Sequence, residues 1–312
     1  MKKIMTVTLN PAVDKTYTTQ GVIVGNVNRM RTVMRIAGGK GVNVTKILRQ
    51  YGYEVAATGF LGGYSGKFIE EELEKRGVQN RFIHVAGETR SNMNILADDG
   101  YVTEILEPGP VISDGENKAF LQQYDALLGE CGLVILSGSV AQGVDADIYE
   151  TMIMRAKASS ISVYLDSSGE NLRFGLRAKP QMIKPNWREL EYIMGHRIRN
   201  RSEIIEAADI LRNEGIPRVV VSMGSKGLIS VSESGVFYAA AKDIVPVNTV
   251  GCGDSVVASY AMSNMLGETE EEAVIRACAI AAANATTVES ADIPLETAKE
   301  LMNKIIVEKM DL

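Results

Sequence analysis

The stretch NTVGCGDSVVASYAM, residues 248–262, decides the fold class, because two glycines, a cysteine and an aspartate stand directly before an apolar run. Val257 and Tyr260 recur at helical spacing, so the pattern predicts a helix that begins near Asp254. Two interpretations are open at this point. The loop is a flexible turn with Asp254 or Ser255 as the N-cap, or it is an anion site. In an anion site, glycine lets backbone N–H groups face a ligand, and the helix dipole adds positive potential.

Composition and charge exclude several classes of protein. The chain has 312 residues, of which 46% are hydrophobic and 23% charged, as in an ordinary globular α/β protein of one or two domains. A net charge of −6 gives no basic footprint for nucleic acid, and no segment reaches membrane-spanning length. Three cysteines and two histidines are too few for a disulfide framework or a His-based metal centre. The first apolar run ends at Asn10-Pro11, too early for a signal peptide, so we expect a cytoplasmic protein without membrane or nucleic-acid partners.

Apolar runs that favour strands alternate with helical patterns along the chain. The predicted strands cover residues 4–9, 54–60, 132–137, 161–166, 181–185 and 218–223. The helical patterns cover residues 41–51, 65–77, 145–157, 187–195, 202–215 and 271–288. Nearly continuous apolar strands are typical of strands covered on both faces, and the alternation predicts a mostly parallel sheet in a layered α/β fold. Ligands bind beyond the carboxyl ends of such strands, where this sequence is polar and rich in glycine.

Two segments, residues 12–36 and 81–107, break this alternation with short strand-like patterns, and Asp99-Gly100 is a hairpin signal. They form either a small separate sheet that acts as a lid or edge strands of the main sheet. We favour the lid, because both segments lead into candidate site residues.

The stretch AGGKGVNV, residues 37–44, opens a predicted helix with glycines on both sides of Lys40. Glycine permits close backbone approach and Lys40 supplies a cation, which suits an anionic or hydroxyl-rich ligand. The spacing is not that of a Walker loop. A tight strand-to-helix turn is the alternative.

Four further features are ambiguous when each is taken alone. Asn186 and Glu189 share a helical face and could hold hydrated Mg²⁺ near phosphates, or they form a capping box. Residues 222–227, SMGSKG, are a turn or a loop beside phosphates. Asp14 is a turn aspartate or a site carboxylate, and Arg90 is a surface charge or a clamp on a phosphate.

The order of these motifs resembles the PfkB (ribokinase-like) family of sugar kinases, in the branch with 1-phosphofructokinase, tagatose-6-phosphate kinase and minor 6-phosphofructokinase. The motifs occur in this order over almost the whole chain: TLNPAVD, AGGKGVNV, SGS, DSSGE, KPNWREL, SMGSKG and NTVGCGDS. The resemblance implies a ribokinase-like three-layer α/β sandwich with a mostly parallel central sheet and a small β-sheet lid. It also implies a single kinase domain over residues 1–312, ATP and Mg²⁺ as cofactors, and a homodimer formed through the lid.

The resemblance also assigns roles to individual residues. Asp254 is implied as the catalytic base, and the N–H groups of Gly251, Cys252 and Gly253 as an anion hole for the transferring phosphate, in keeping with phosphoryl-transfer chemistry. The implied sugar-phosphate contacts are Asp14, Gly38, Gly39, Lys40, Asn43, Arg90, Ser137 and Ser139. The implied nucleotide contacts are Lys184, Asn186, Glu189, Ser222, Gly224, Gly227 and Asn284, with Glu189 holding Mg²⁺ through water. Arg29 is expected to reach the site of a neighbouring subunit from the lid.

Cys252 departs from the family pattern, in which a small residue such as alanine or serine is usual. If only its backbone N–H acts, activity survives the change. A reactive thiol at the helix N-terminus is the alternative interpretation.

The implied reaction is ATP-dependent phosphorylation of a primary alcohol of a ketohexose phosphate. We place fructose 1-phosphate first. Tagatose 6-phosphate is a close second, because discrimination between the two depends on only a few hydroxyl contacts. A kinase of unphosphorylated sugars or nucleosides and a non-catalytic sugar-phosphate-binding protein are further alternatives. An oxidoreductase with a Rossmann sheet is disfavoured, because the first strand lacks a G-x-G-x-x-G turn.

Overall fold

The computed structural model describes residues 3–311, which contain one large sheet of ten strands and one small sheet of four. Across the large sheet the order is β14 (Ile306–Met310), β13 (Gly235–Ala240), β12 (Leu228–Ser232), β11 (Arg218–Ser222), β10 (Met182–Ile183), β9 (Ser162–Asp166), β8 (Cys131–Ser137), β1 (Lys3–Thr8), β4 (Val55–Leu61) and β5 (Gln79–His84). Neighbours from β5 to β11 are parallel, and the pairs from β11 to β14 are antiparallel. The prediction of a mostly parallel sheet is confirmed.

Helices cover both faces of this sheet. One face carries α1 (Lys40–Gln50), α8 (Cys252–Leu266), α9 (Glu270–Ala285) and α10 (Leu295–Met302). The other carries α3 (Asp114–Leu128), α4 (Ile148–Ala158), α5 (Gly169–Arg177), α6 (Trp187–Met194) and α7 (Arg201–Asn213). Adjacent residues of one strand, such as Leu133 and Val134, belong to opposite cores. The nearly continuous apolar strands thus have the predicted cause, burial on both faces.

The small sheet has the order β3 (Thr32–Gly38), β2 (Ala12–Thr19), β6 (Arg90–Ala97) and β7 (Val102–Leu106). Strands β2 and β6 are parallel and the other pairs antiparallel. The hairpin signal at residues 99–100 coincides with the turn between β6 and β7, where Gly100 has a φ of 86°. At its inner end this sheet packs on α2 (Gly63–Lys75) through a third apolar cluster.

The second predicted lid segment begins too early. Residues 81–84 belong to β5, which pairs with β4 at the edge of the large sheet. Phe82 packs in the cluster beneath the small sheet, while Ile83 packs against the core on the other side. The segment 81–107 therefore combines the two alternatives, an edge strand followed by two lid strands.

The six predicted helices agree with observed helices to within three residues at each end, whereas α3, α5 and α10 were not predicted. Helix α3 begins with a capping box between Ser113 and Glu116, a signal that is visible in the sequence. No helix within residues 3–311 has both the length and the apolar character needed to cross a membrane.

Candidate active site

The carboxyl ends of the parallel strands and the N-termini of three helices meet at one edge of the large sheet. Lys40, the first residue of α1, contacts Asp166, the last residue of β9. Asn43, one turn further along α1, contacts Asp254 in the first turn of α8. This edge is where the strand–helix alternation predicted a ligand site.

Asp254 is a buried carboxylate with a direct amide partner. Asn43 Nδ2 donates to its Oδ2 over 2.8 Å. Burial raises the pKa of Asp254 to about 6 and the charge of Asp166 adds to this rise, while Lys40, Asn43 and Lys184 oppose it. At neutral pH the group is ionised and able to accept a proton, and its pKa lies close to the range in which general bases work best.

The turn into α8 has glycine at residues 251 and 253, and its backbone requires glycine at the first of them. Gly251 has a φ of 85°, and a Cβ there would lie 3.3 Å from the backbone nitrogen of Ala291. A Cβ on Gly253 would lie 3.2 Å from Lys184 Nζ, so this ammonium lies directly beside the N-terminus of α8. Backbone N–H groups, the helix dipole and a buried cation therefore converge on one point, which suits an anion.

The N-cap interpretation of this loop is wrong. The N-cap of α8 is Gly251, and no side chain caps the helix. Ser255 instead donates its hydroxyl back to the carbonyl oxygen of Gly251 over 2.9 Å. The first backbone N–H groups of α8 thus have no capping side chain, which favours the anion-site interpretation.

Asp166 is a site residue that the sequence analysis did not select. Its Oδ1 accepts a hydrogen bond from Lys40 Nζ at 3.0 Å and lies 3.5 Å from Lys184 Nζ. Its Oδ2 is buried without a hydrogen-bond partner among the described residues. The available signal was the DSSGE motif, which places this aspartate at the carboxyl end of a predicted strand.

Lys40 is held in a strongly negative environment. Burial alone would lower its pKa, but three surrounding carboxylates outweigh burial and hold that pKa above its usual range. They belong to Asp166, Glu189 and Asp254. Lys40 therefore stays protonated and supplies the cation that the AGGKGVNV stretch predicted.

Asn186 and Glu189 form the capping box of α6. Asn186 Oδ1 accepts from the backbone N–H of Glu189 over 2.9 Å, and Glu189 Oε2 accepts from the N–H of Asn186 over 2.8 Å. The other carboxylate oxygen, Oε1, faces Lys40 Nζ at 4.0 Å. The capping interpretation is confirmed, and one carboxylate oxygen still points into the site.

Mg²⁺ keeps several water ligands and needs only one or two protein carboxylates when phosphates are present. Glu189 Oε1 and the unpartnered Oδ2 of Asp166 fit this requirement. Within residues 3–311 no group of three or more His, Cys, Asp or Glu side chains could enclose a metal ion. The donor set thus fits a hydrated ion shared with a ligand.

Asp14 lies on β2, in the small sheet. Asn92 of β6, its register partner, donates Nδ2 to Asp14 Oδ1 over 2.9 Å. Burial raises the pKa of Asp14, while Asn92 and nearby cations act against this rise. A Cβ on Gly38 would lie 2.0 Å from Asp14 Oδ2, so glycine is needed there for the carboxylate to fit.

Arg90 is half-buried and fixed by backbone acceptors. Its Nε and Nη2 donate to the carbonyl oxygen of Asn10 over 3.2 and 3.1 Å, and its Nη1 donates to that of Glu107 over 3.1 Å. Ser139 is exposed and lies 3.4 Å from Asn10 Nδ2. Arg29 is exposed in the loop between β2 and β3.

Several buried side-chain oxygens near the candidate site have no hydrogen-bond partner among the described residues. They belong to Asn10, Asn43, Asn92 and Ser137. Buried polar groups are normally satisfied, so unpartnered ones that lie beside a site indicate positions where a ligand completes the bonds. Asn10 and Asn92 were missed by the sequence analysis.

A cavity of about 390 Å³ lies beside the N-terminus of α8. Three predicted nucleotide residues line it, namely Ser222, Gly224 and Gly227, together with Cys252 and Gly253. Its apolar wall comes from Leu228, Val256 and the small residues of α9 at positions 278, 281, 282 and 285. A cavity lined by an apolar wall and by glycine-rich loops suits a nucleotide base and its phosphates.

Asn284 lies behind this cavity and does not line it. It is 1% exposed, donates Nδ2 to the carbonyl oxygen of Val250 over 2.8 Å and accepts from the backbone N–H of Ala291 over 2.8 Å. It therefore holds residues 248–253, which we call the glycine loop, and its predicted proximity to the base stays a prediction. Burial raises the pKa of the Cys252 thiol, which argues against the reactive-thiolate interpretation.

Comparison with known proteins identifies the family. The model of the pfkB family carbohydrate kinases matches residues 4–298. The chain belongs to the PfkB family of carbohydrate kinases. This PfkB kinase is 36% identical over 308 residues to a tagatose-6-phosphate kinase of Staphylococcus epidermidis, with 97% of this chain and 99% of that protein covered.

Solved structures agree with the observed fold. A Thermotoga maritima protein solved as a possible 1-phosphofructokinase is 28% identical, with a TM-score of 0.90 and 99% of this chain and 100% of that chain covered. Phosphofructokinase-2 of Escherichia coli in complex with potassium has a TM-score of 0.90 at 24% identity, with coverage of 97% and 99%, and supports the fold alone. The ribokinase-like fold is confirmed, and this PfkB kinase is an enzyme of the carbohydrate kinase class.

Proposed function

We propose that this PfkB kinase transfers the γ-phosphoryl group of ATP to the C1 hydroxyl of tagatose 6-phosphate. The observation that carries a kinase reaction is the buried, ionisable Asp254 in the first turn of α8, beside Lys184 and the glycine loop. The sequence relatives favour tagatose 6-phosphate over fructose 1-phosphate, the substrate placed first from the sequence alone. Fructose 1-phosphate remains the second candidate, supported by the structural likeness to the T. maritima protein.

In the proposed reaction the C1 hydroxyl oxygen attacks the γ-phosphorus, and the hydroxyl proton passes to the carboxylate of Asp254. The bond between the γ-phosphorus and the bridging oxygen breaks, and that oxygen leaves with ADP. We assign the N–H groups of residues 251–253, together with the Lys184 ammonium beside Gly253, to the negative charge on the transferring group. Asn43 orients the base through its hydrogen bond.

We assign Glu189 and Asp166 as the carboxylates that hold hydrated Mg²⁺, each through water. When bound, the ion would neutralise phosphate charge. Lys40 lies between the two carboxylates, 3.0 Å from Asp166 and 4.0 Å from Glu189, and limits their mutual repulsion. A direct test is titration of Mg²⁺ binding to the ADP complex by calorimetry, where we expect Glu189→Gln to weaken binding.

Arg90 is assigned to the sugar's phosphate group. Three of its N–H groups are bound to backbone oxygens, which fixes the guanidinium and leaves its other N–H groups for a ligand. Asp14, Asn43 and Asn92 supply carboxylate and amide groups for the sugar hydroxyls, with unpartnered amide oxygens on the last two. These contacts would decide between ketohexose phosphates.

We propose a homodimer through the small sheet. Apolar side chains are exposed on this sheet and on the loop before β3, and they are Ile23, Val24, Val27, Val33, Ile105 and Leu106. Val33 and Ile105 share one face of the sheet and Leu106 lies on the other, and exposed apolar surface on such a sheet supports an interaction site. A second copy of the chain would cover it and could place Arg29 near the partner's site.

The experiment that tests the function is ADP release with Mg-ATP and one sugar at a time: tagatose 6-phosphate, fructose 1-phosphate, fructose 6-phosphate and fructose. We expect the highest kcat/KM for tagatose 6-phosphate and little turnover of fructose. Arg90→Ala should raise KM for the sugar phosphate, whereas the control Arg155→Ala, a half-buried arginine paired with Asp125 on the other side of the sheet, should not. A higher kcat/KM for fructose 1-phosphate would transfer the proposal to the second candidate.

A further inference from the structure

Lys46 is a buried cation that the proposed reaction does not use. It lies in α1, one turn after Asn43, and is 2% exposed. Its ammonium donates to the carbonyl oxygen of Ser290 over 2.8 Å and to that of Ala37 over 3.5 Å. Burial of a lysine ammonium costs free energy unless its charge is compensated, and such a residue is therefore a candidate for a specific role.

The segment that Lys46 holds lies directly behind the glycine loop. Ala291, the residue after Ser290, has a φ of 59°, a strained conformation for a residue with a side chain. Its N–H donates to Asn284 Oδ1 over 2.8 Å, and Asn284 Nδ2 donates to the Val250 carbonyl oxygen over 2.8 Å. The strained segment is thus bound on one side by Lys46 and on the other by the loop.

The contact between this segment and the loop is close. A Cβ on Gly251 would lie 3.3 Å from the Ala291 nitrogen and 3.4 Å from Ser290 Cβ. Because Asn284 joins Ala291 to Val250, a displacement of residues 290 and 291 is expected to reach the residue directly before Gly251. We propose that Lys46 is a positioning residue for the anion hole, acting through Ser290 and Ala291 on Gly251. This inference rests on the proposed role of residues 251–253 in phosphoryl transfer.

The protonation state of Lys46 provides a readout that simple loss of packing would not give. Burial lowers the pKa of Lys46 to about 8, although Glu289 acts against this effect. The charged groups that face it from neighbouring elements are Glu72 and Arg76 of the α2 region, Asp14 of β2, and Glu289 and Asp292 of the segment before α10. The ammonium form makes the bonds to the carbonyl oxygens, so the anion hole should loosen as the pH rises through about 8.

The test compares the wild type with Lys46→Arg, Lys46→Met and the control Lys157→Met. Lys157 also donates to two carbonyl oxygens, those of Ala178 and Lys179, but at the far end of α4. Steady-state kinetics are measured from pH 6 to 10 with the preferred sugar phosphate. Asp254→Asn is included so that failure of the proposed reaction is seen separately.

We expect Lys46→Met to lower kcat about 10- to 100-fold with little change in KM for either substrate, since misplacement of transition-state donors acts on kcat. In the wild type, kcat should decrease as the pH rises through about 8. In Lys46→Arg this decrease should occur more than about one pH unit higher, because the guanidinium stays protonated. Lys157→Met should match the wild type.

Three results would overturn the inference. They are a wild-type kcat that stays constant between pH 7 and 9, a decrease in kcat with pH that is unchanged in Lys46→Arg, and a kcat of Lys46→Met equal to that of Lys157→Met. If Lys46→Met does not fold, the first two measurements still decide. If Asp254→Asn keeps full activity, the proposed reaction itself fails, which is a different result.

Discussion

Asp254 combines two properties that oppose each other, deep burial and ionisation. Its pKa of about 6 results mainly from burial, and the cations Lys40 and Lys184 keep it from rising further. A base with this pKa accepts a proton readily at neutral pH, but the folded protein bears the cost of a buried charge. The residue is therefore expected to serve activity at the expense of stability.

We expect Asp254→Asn to lower kcat by about a thousandfold or more, because loss of the base adds to the loss of alignment. In the wild type, kcat/KM should rise with pH along a limb centred near pH 6, where Asp254 loses its proton. The measurement is a pH profile of kcat/KM from 4.5 to 8. A flat profile through this range would contradict the assignment of Asp254 as the base.

The same variant should be more stable than the wild type at pH 7. The folded-state pKa of Asp254, about 6, is raised above the ordinary value of 3.8, so the native state binds the proton more tightly than the unfolded state. Its contribution to stability is present below about pH 4 and is lost as the pH rises to 6. We therefore expect Asp254→Asn to raise the free energy of unfolding by ~1–3 kcal/mol at pH 7, with no gain at pH 3.5, as measured by urea denaturation.

Gly38 offers a second test at a single position. A Cβ there would lie 2.0 Å from Asp14 Oδ2 and would force the carboxylate out of its place. We expect Gly38→Ala to lower kcat/KM about 10- to 100-fold, chiefly through KM for the sugar phosphate. The matched control is Gly115→Ala in α3, where nothing lies within 4 Å of the added Cβ. Equal kinetics for the two variants would argue against Asp14 as a sugar contact.

Helix α9 supplies the apolar wall of the cavity and is fixed at its first residue by a buried network. Glu270, with a side chain 2% exposed, accepts from Arg218 Nη2 at 2.7 Å and from Nε at 2.9 Å. Its other oxygen accepts from Ser230 at 2.6 Å and from the Tyr260 hydroxyl at 3.2 Å. One carboxylate thus ties α9 to β11, β12 and α8, at the end of the helix far from the glycine loop.

Removing this carboxylate charge should weaken the whole element. We expect Glu270→Gln to lower the free energy of unfolding by ~3 kcal/mol, because the half-buried Arg218 guanidinium loses its counter-charge and the buried Glu270 network loses its ion pair. The exposed neighbour Glu271 is the control, and Glu271→Gln should be neutral. Differential scanning calorimetry gives the comparison, and a Tm equal to that of the control would show that the pair does not stabilise α9.

A group of exposed apolar side chains lies on the small sheet and the loop before β3. Val33 and Ile105 lie on the same face of this sheet and are 52% and 46% exposed. A surface of this kind is unfavourable for an isolated chain and is normally covered by a partner. Because the small sheet also carries Asp14 and Arg90, its assembly state and the sugar site are expected to be linked.

We expect the double variant Val33→Asp/Ile105→Asp to be monomeric where the wild type is dimeric, because two carboxylates would be buried in the interface without partners. The control is Ile210→Asp. Ile210 is 46% exposed on α7, away from the small sheet, and its substitution should not change the molar mass of the protein in solution. Light scattering coupled to gel filtration provides the measurement. A wild type that is already monomeric would rule out the proposed dimer.

The sequence by itself determined the sandwich of helices on a parallel sheet and the position of most elements. It could do so because burial on both faces produces continuous apolar strands, and burial on one face produces a helical period, within a few consecutive residues. The glycine positions before α1 and α8 were visible for a similar local reason. Helices α5 and α10 were not predicted because they are short, and α3 was not predicted because its first turns are polar and its buried residues begin only at Phe120.

Only the tertiary structure decided which side chains meet. Asn43 and Asp254 are 211 residues apart, and Lys46 and Ser290 are 244 apart, so no local pattern records either contact. In the sequence Asp166 is one of several polar residues at strand ends, and only the fold brings the ammonium groups of Lys40 and Lys184 to its Oδ1. Long-range packing sets the environment that raises the pKa of Asp254, and it also places residues 81–84 in the large sheet. Propensity and spacing act only over a few consecutive residues, so they cannot predict either feature.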